Sequence, residues 1–146
     1  MKFEEENYRA VENLQSFIYF LISDEPIKNT VVYVGQSANG LHRPFMHKDK
    51  EFNRVYIMPC SQSDLNRVES FYICKYKPKY NQNGGRGFIS LARARKQLKT
   101  AWRHKTLTVR HIRKACTSLG IQPVAINGIE YIDPNYLHDL YEALRG

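Results

Sequence analysis

The stretch FIYFLISDEPIKNTVVYVGQS (Phe17–Ser37) decides how the first half of this chain folds. Two short apolar runs, Phe17–Ile22 and Val31–Gly35, are rich in aromatic and β-branched residues that suit a pleated, half-buried surface. The link between them, SDEPIKN, holds Pro26 and Asn29, residues that favour a reversal of the chain. The pattern predicts two strands joined as a hairpin.

A third strand is predicted at FNRVYIM (Phe52–Met58), where apolar and polar positions alternate more clearly. Residues 7–15 suit a short helix that sets Val11 and Leu14 against the sheet. A second helix is predicted from Asp64 to about Tyr76, capped by Ser63 or by Ser61 paired with Asp64. Leu65, Val68 and Tyr72 fall on its inner face. Pro78 stops it, and PKYNQNGGRG reads as a loop in which Gly84, Gly85 and Gly87 form a flexible joint.

Past the joint the pattern turns helical. Leu91, Ala94, Leu98 and Ala101 share one helical face, while Lys96, Lys99 and Arg103 lie on another. Thr108 is placed to cap a further helix carrying Val109, Ile112, Cys116 and Leu119 on one stripe, with Gly120 at its end. VAINGIEYI holds Asn127-Gly128 between apolar segments, the signal of a type I′ hairpin. Asp133-Pro134 then opens a last helix with Leu137, Leu140 and Leu144 on one face. The expected class is α+β: a small sheet with helices, followed by a mainly helical basic module with a β-hairpin. The expected organisation is a first domain over 1–83, a basic linker helix over 84–104 and a small helix–hairpin–helix module over 105–146.

Composition narrows the partners. The 146 residues carry 22 Lys and Arg against 14 Asp and Glu, a net charge of +8. Between Ser70 and Ile129 there is no acidic residue, yet thirteen Lys or Arg fall there. A field of one sign over so much chain suits a polyanion, most often nucleic acid. A membrane surface fits less well, because no strongly apolar face accompanies the basic residues. No apolar run approaches the roughly 20 residues of a spanning helix, and the acidic N-terminus has no apolar core of a secretory signal. Cys60, Cys74 and Cys116 are odd in number and widely spaced, so they read as reduced thiols in a cytoplasmic protein rather than a disulfide frame or metal pair.

Several short motifs stand in order along residues 16–82. Phe17-Ile18-Tyr19 and Tyr33-Val34-Gly35 lie on the first two strands, and Arg43 follows eight residues after Gly35. His47 is four further on, Glu69 lies within the helix, and Pro78-Lys79-Tyr80-Asn81 closes the series. Taken together they resemble the GIY-YIG nucleases, whose catalytic module is a three-stranded antiparallel sheet flanked by helices. This chain departs from the pattern at Phe17, where glycine is expected. It departs also at Gln36 and His47, which are lysine and tyrosine in the repair members.

The resemblance implies a metal-dependent DNA endonuclease with Tyr19, Tyr33, Arg43, His47, Glu69 and Asn81 as its catalytic set. The chemistry of those side chains agrees. Phosphodiester hydrolysis needs an activated water, neutralised phosphoryl oxygens and help for the leaving oxygen. Glu69 would be the sole protein ligand of Mg2+ (or Mn2+), since one carboxylate plus water and phosphate is a usual shell for that ion. Arg43 would clamp the scissile phosphate with its planar donors. Tyr33 is one candidate proton acceptor, although a free phenol with a pKa near ~10 needs help at neutral pH. His47 is the other, with a pKa better suited to the task. Tyr19 would hydrogen-bond Tyr33 or the phosphate, and Asn81 would brace the metal shell or a helix end.

Lys96, Lys99, Arg103, Arg110, Arg113 and Lys114 suit phosphate contacts that position DNA, double-stranded in the first instance. With one active site, the protein would work as a monomer or as a transient dimer on DNA. If the tail reads sequence as winged-helix proteins do, Arg110, His111 and Lys114 would enter a groove, with Asn127-Gly128 at the tip of a wing. Two other readings stay open: an inactive DNA-binding protein on a nuclease scaffold, and an RNA-directed nuclease.

Overall fold

The computed structural model describes residues 16–38, 47–99 and 106–145. The helix expected over residues 7–15 lies outside them. β1 (Phe17–Ser23) is the middle strand of an antiparallel sheet, between β2 (Thr30–Ser37) and β3 (Arg54–Pro59). Its central place explains its unbroken apolar run, because both of its faces must be covered. Ile18, Phe20 and Val34 pack on one face against Leu65, Ile73 and Cys74 of α1 (Leu65–Tyr76). Phe17, Tyr19 and Leu21 pack on the other with Val32 and Val55. Fully burying a side chain of this size contributes roughly 1.5–3 kcal/mol.

The start of α1 differs in detail from the expected caps. A 3-10 turn, Gln62–Asp64, leads into it, and the Ser61 hydroxyl donates to the Asp64 carboxylate at 2.8 Å instead of accepting a backbone N–H. At the other end Lys77 turns left-handed with φ 47°, and its N–H donates to the Ile73 carbonyl at 2.8 Å. The helix therefore closes before Pro78, as the sequence requires.

A second antiparallel sheet occupies the C-terminal half. β4 (Ile89–Ser90) and β5 (Val124–Ile126) flank β6 (Ile129–Ile132). Around it lie α2 (Leu91–Leu98), α3 (Val109–Leu119) and α4 (Leu137–Arg145). Thr108 caps α3, with its side chain accepting from His111 N–H while the His111 ring accepts from Thr108 N–H. Asn127 and Gly128 have φ of 50° and 78°, the two left-handed residues that a type I′ hairpin needs. The Asp133 carboxylate accepts from Asn135 N–H at 2.9 Å, and a short 3-10 turn, Pro134–Tyr136, precedes α4.

The apolar stripes meet in one cluster: Leu91, Ala94 and Leu98 of α2, Ile112 and Cys116 of α3, Ile132 of β6 and Leu140 of α4. Leu119, expected on the α3 stripe, is 43% exposed. Ile126 and Tyr131 of the hairpin reach back into the cluster of β1, β2 and α1, so the two halves share apolar contact.

The glycines between the halves are packing positions rather than a loose joint. A methyl at Gly84 would sit 2.8 Å from the Tyr131 ring, and one at Gly87 would lie 2.5 Å from Arg67 Cα and overlap the Asn66 carbonyl. Gly87 N–H donates to the buried Ser70 hydroxyl at 2.8 Å. Asn127 donates to the Gln82 carbonyl at 2.8 Å, and Arg67 pairs with Asp133 at 3.7 Å. Close approach of the backbone to its neighbours is what these glycines supply.

Candidate active site

The pairing of β1 with β2 sets Tyr19 directly opposite Gly35. The ring of Tyr19 lies across that glycine, and a methyl there would come within 2.5 Å of the Tyr19 hydroxyl oxygen. Glycine at this position thus makes room for the phenol. Tyr33, two residues before Gly35 on the same strand, shares that face; its ring centroid is 6.1 Å from that of Tyr19.

His47 closes the group. Its Nε2 lies 2.6 Å from the Tyr19 hydroxyl, and its ring is 4.6 Å from the Tyr33 ring. Sequence spacing alone cannot tell which tyrosine the imidazole bonds. The fold joins it to Tyr19.

Asn81 has a defined anchoring role. Its side-chain oxygen accepts from Val34 N–H and its side-chain nitrogen donates to the Val34 carbonyl, both at 2.9 Å. This amide imitates a partner strand on the free edge of β2, where unpaired backbone groups would otherwise face solvent. Tyr80 strengthens the bracing: its N–H donates to the Val32 carbonyl at 3.0 Å, and its hydroxyl accepts from Glu51 N–H at 3.1 Å. Asn81 was expected to brace a metal shell or a helix end; it braces the strand that carries Tyr33.

Along this edge runs an open cleft of about 590 Å³, lined in part by Tyr33, Lys50, Glu69, Tyr80, Asn81 and Arg86. Glu69 reaches it from α1 and is half-buried. Gly85, with φ 79°, passes beside it, and a methyl there would lie 3.2 Å from Glu69 Oε1. Tyr19 and His47 are not among the residues that line the cleft; their rings lie against that of Tyr33. Among the described residues no three His, Cys, Asp or Glu side chains converge as a metal cage. A single carboxylate beside a glycine, open to a polar cleft, leaves room for an ion that keeps most of its water.

Two cationic cleft residues were not singled out from the sequence. The Lys50 side chain is 15% exposed, and its ammonium lies 4.9 Å from the Tyr33 ring centroid and 3.3 Å from the exposed Asp49 carboxylate. Arg86 enters from the glycine-rich loop. Neither belongs to a periodic pattern, and only chain folding brings them to the cleft that Glu69 lines. Arg43 lies outside the described residues, as do His42, Arg103 and His104.

The expected DNA-positioning residues divide into two kinds. Lys96, Lys99, Arg110 and Lys114 are exposed. Arg113 is exposed too, but its guanidinium pairs with Glu130 at 2.5 Å, and that hydrogen bond and charge raise its pKa further. His111 is occupied at the α3 cap through Nδ1. Burial pushes the Cys74 thiol up to about 11, and burial likewise raises Cys116 and Cys60. Thiols held protonated in this way are poor nucleophiles.

No family model, curated protein or solved structure was found to match this chain. Among the described residues, no helix is long and apolar enough to cross a membrane.

Proposed function

We propose that this chain is a metal-dependent DNA endonuclease of the GIY-YIG type, acting in the cytoplasm and positioning duplex DNA through its basic C-terminal half. The observation that carries the reading is the cleft along β2. Tyr33, Glu69 and Asn81 come from three separate segments and line it together, with Lys50 and Arg86 supplying positive charge for a phosphodiester.

Glu69 would hold Mg2+ or Mn2+, with water and a substrate phosphate completing the shell. The bound ion would supply charge neutralisation on the phosphoryl oxygens and acidify water. Tyr33 faces the cleft and so is favoured over His47 as the group beside the attacking water. Lys50 sets a positive charge against the ring on which negative charge would develop. The Tyr19–His47 hydrogen bond backs Tyr33 and fixes its ring position. Asn81 holds β2 in register so that Tyr33 keeps its place. Arg43 would clamp the phosphate from the segment beyond Ser37.

The test is incubation of purified protein with supercoiled plasmid and Mg2+ or Mn2+, alongside Glu69→Gln and Arg43→Ala. Nicking or linearisation by the wild type, abolished by chelation, is the expected outcome. Each variant should lose about three orders of magnitude in rate, comparable to removing other charge-stabilising groups. DNA binding should stay within about twofold. Cutting by both variants at the wild-type rate would overturn the site. Tight binding without cutting by the wild type would favour the inactive DNA-binding reading.

A further inference from the structure

We propose that the outer side of α1 is a stacking platform for single-stranded nucleic acid, a second binding surface apart from the cleft. Seven large apolar side chains are exposed among the described residues, and four of them gather here: Tyr56 (57%), Phe71 (50%), Tyr76 (45%) and Tyr136 (42%). Such residues are normally scattered singly over a surface, so their collection into one band calls for a ligand.

The rings are ordered against one another. Tyr72 and Tyr76 lie nearly parallel at 10° with centroids 6.0 Å apart, and Phe71 meets Tyr72 edge-on at 5.1 Å. Phe20 beneath contacts Tyr72 edge-on at 5.1 Å and Tyr56 at 5.8 Å. Two shallow hollows flank the helix. One, of about 330 Å³, lies among Phe20, Tyr56, Tyr72 and Tyr76; the other, of about 300 Å³, lies among Phe71, Phe88 and Tyr136. Each hollow has room for a nucleobase against an aromatic face.

Charge selects the occupant. Lys75 lies between the hollows, its ammonium 5.5 Å from the Tyr76 ring and 6.0 Å from the Tyr72 ring. It belongs to the segment from Ser70 to Ile129 that has no acidic residue. Asp133 lines the second hollow but is paired with Arg67 at 3.7 Å. Protein interfaces deplete lysine around aromatic anchors, whereas single-strand binders combine stacked rings with a positive track. A duplex keeps its bases stacked inside and offers no faces to these rings, so the surface fits unpaired bases.

Binding would be measured by fluorescence anisotropy on the full chain, using labelled oligo(dT) and oligo(rU) of roughly 20 nucleotides and a duplex of equal length. A Phe71→Ala/Tyr76→Ala variant should bind the single strands roughly tenfold or more weakly, with duplex binding changed less than about twofold. Tyr76→Leu keeps the apolar bulk and should still weaken binding, and Tyr76→Trp should retain it. Thermal melts read by circular dichroism check that the variants fold. Loss on either the DNA or the RNA strand alone supports the platform and assigns its sugar preference. Failure of the wild type to bind either strand would overturn it. So would unchanged single-strand affinity in the folded double variant, or equal losses on strand and duplex.

Discussion

Among the described residues there are two three-stranded antiparallel sheets, and they are built differently. The first, β2-β1-β3, has strands of six to eight residues, with α1 on one face and Tyr19 and Tyr33 on the other. Its edge strand β2 is covered by the side chain of Asn81, and a cleft opens alongside. The second, β4-β6-β5, has strands of two to four residues, enclosed with three helices around an all-apolar cluster. Among the described residues no charged side chain belongs to that cluster, and Lys96, Lys99, Arg110 and Lys114 are exposed. A longer strand can bury one end and still offer side chains to a cleft; a two-residue strand can only clip elements together. The first sheet borders the cleft, and the helices around the second carry the exposed positive charge.

If that division holds, damage to the contact between the two halves should cost most in stability. Gly87→Ala forces a methyl into the Asn66–Arg67 backbone of α1. A loss of about 3 kcal/mol is expected, as for overpacking against a part that cannot yield, with a melting temperature lower by on the order of 10 °C. A melt within about 1 °C of wild type would mean that the halves are joined more loosely than their packing implies.

Next comes the edge of the first sheet. Asn81→Ala removes two hydrogen bonds from Val34 and should cost about 2 kcal/mol in urea unfolding. Cleavage should fall as well, because Tyr33 neighbours the released residue. A variant with full stability but no cleavage would give Asn81 a direct chemical role instead of a bracing one.

The second sheet is tested by salt. Lys114→Ala should weaken duplex binding a few-fold and reduce the slope of log K against log salt by about one. Arg113→Ala should change that slope less, since Glu130 already balances its charge. Equal changes in the two variants would show that the Glu130 pair opens when DNA binds.

The smallest effect concerns Cys74, packed between α1 and the first sheet. In the folded protein its thiol keeps its proton up to about 11, against an ordinary value of 9.0. Its contribution is fully present below about pH 9 and is lost as pH rises towards 11. The stability gap between wild type and Cys74→Ala should therefore narrow across that window in chemical denaturation. A gap that stays constant would mean that the folded thiol titrates as an exposed one.

Much of the local structure was legible. Thr108 and Gly120 bound α3 because a side-chain acceptor and a residue tolerant of positive φ are needed at its two ends. Asn127-Gly128 specified its hairpin through the same backbone requirement. β4 was not visible, since two residues carry no periodicity and Ile89–Ser90 becomes a strand only when β6 lies beside it. The glycine-rich loop reads as a joint in the sequence and is a packing seam in the fold for a related reason. Glycine marks either freedom or close approach, and only the neighbour, here α1, distinguishes them.

The sequence by itself determined which residues could form the sheet and helices, the excess of positive charge, and the order of Tyr19, Tyr33, His47, Glu69 and Asn81 along the chain. Those properties are local or compositional, so they survive without contacts. The tertiary structure decided that His47 bonds Tyr19, that Tyr33 faces the cleft, and that Asn81 serves β2. It also brought Lys50 to the Tyr33 ring and the exposed aromatics into one band. Each of these is a meeting of residues far apart in the chain, set by strand register and helix packing, which no spacing within one segment encodes.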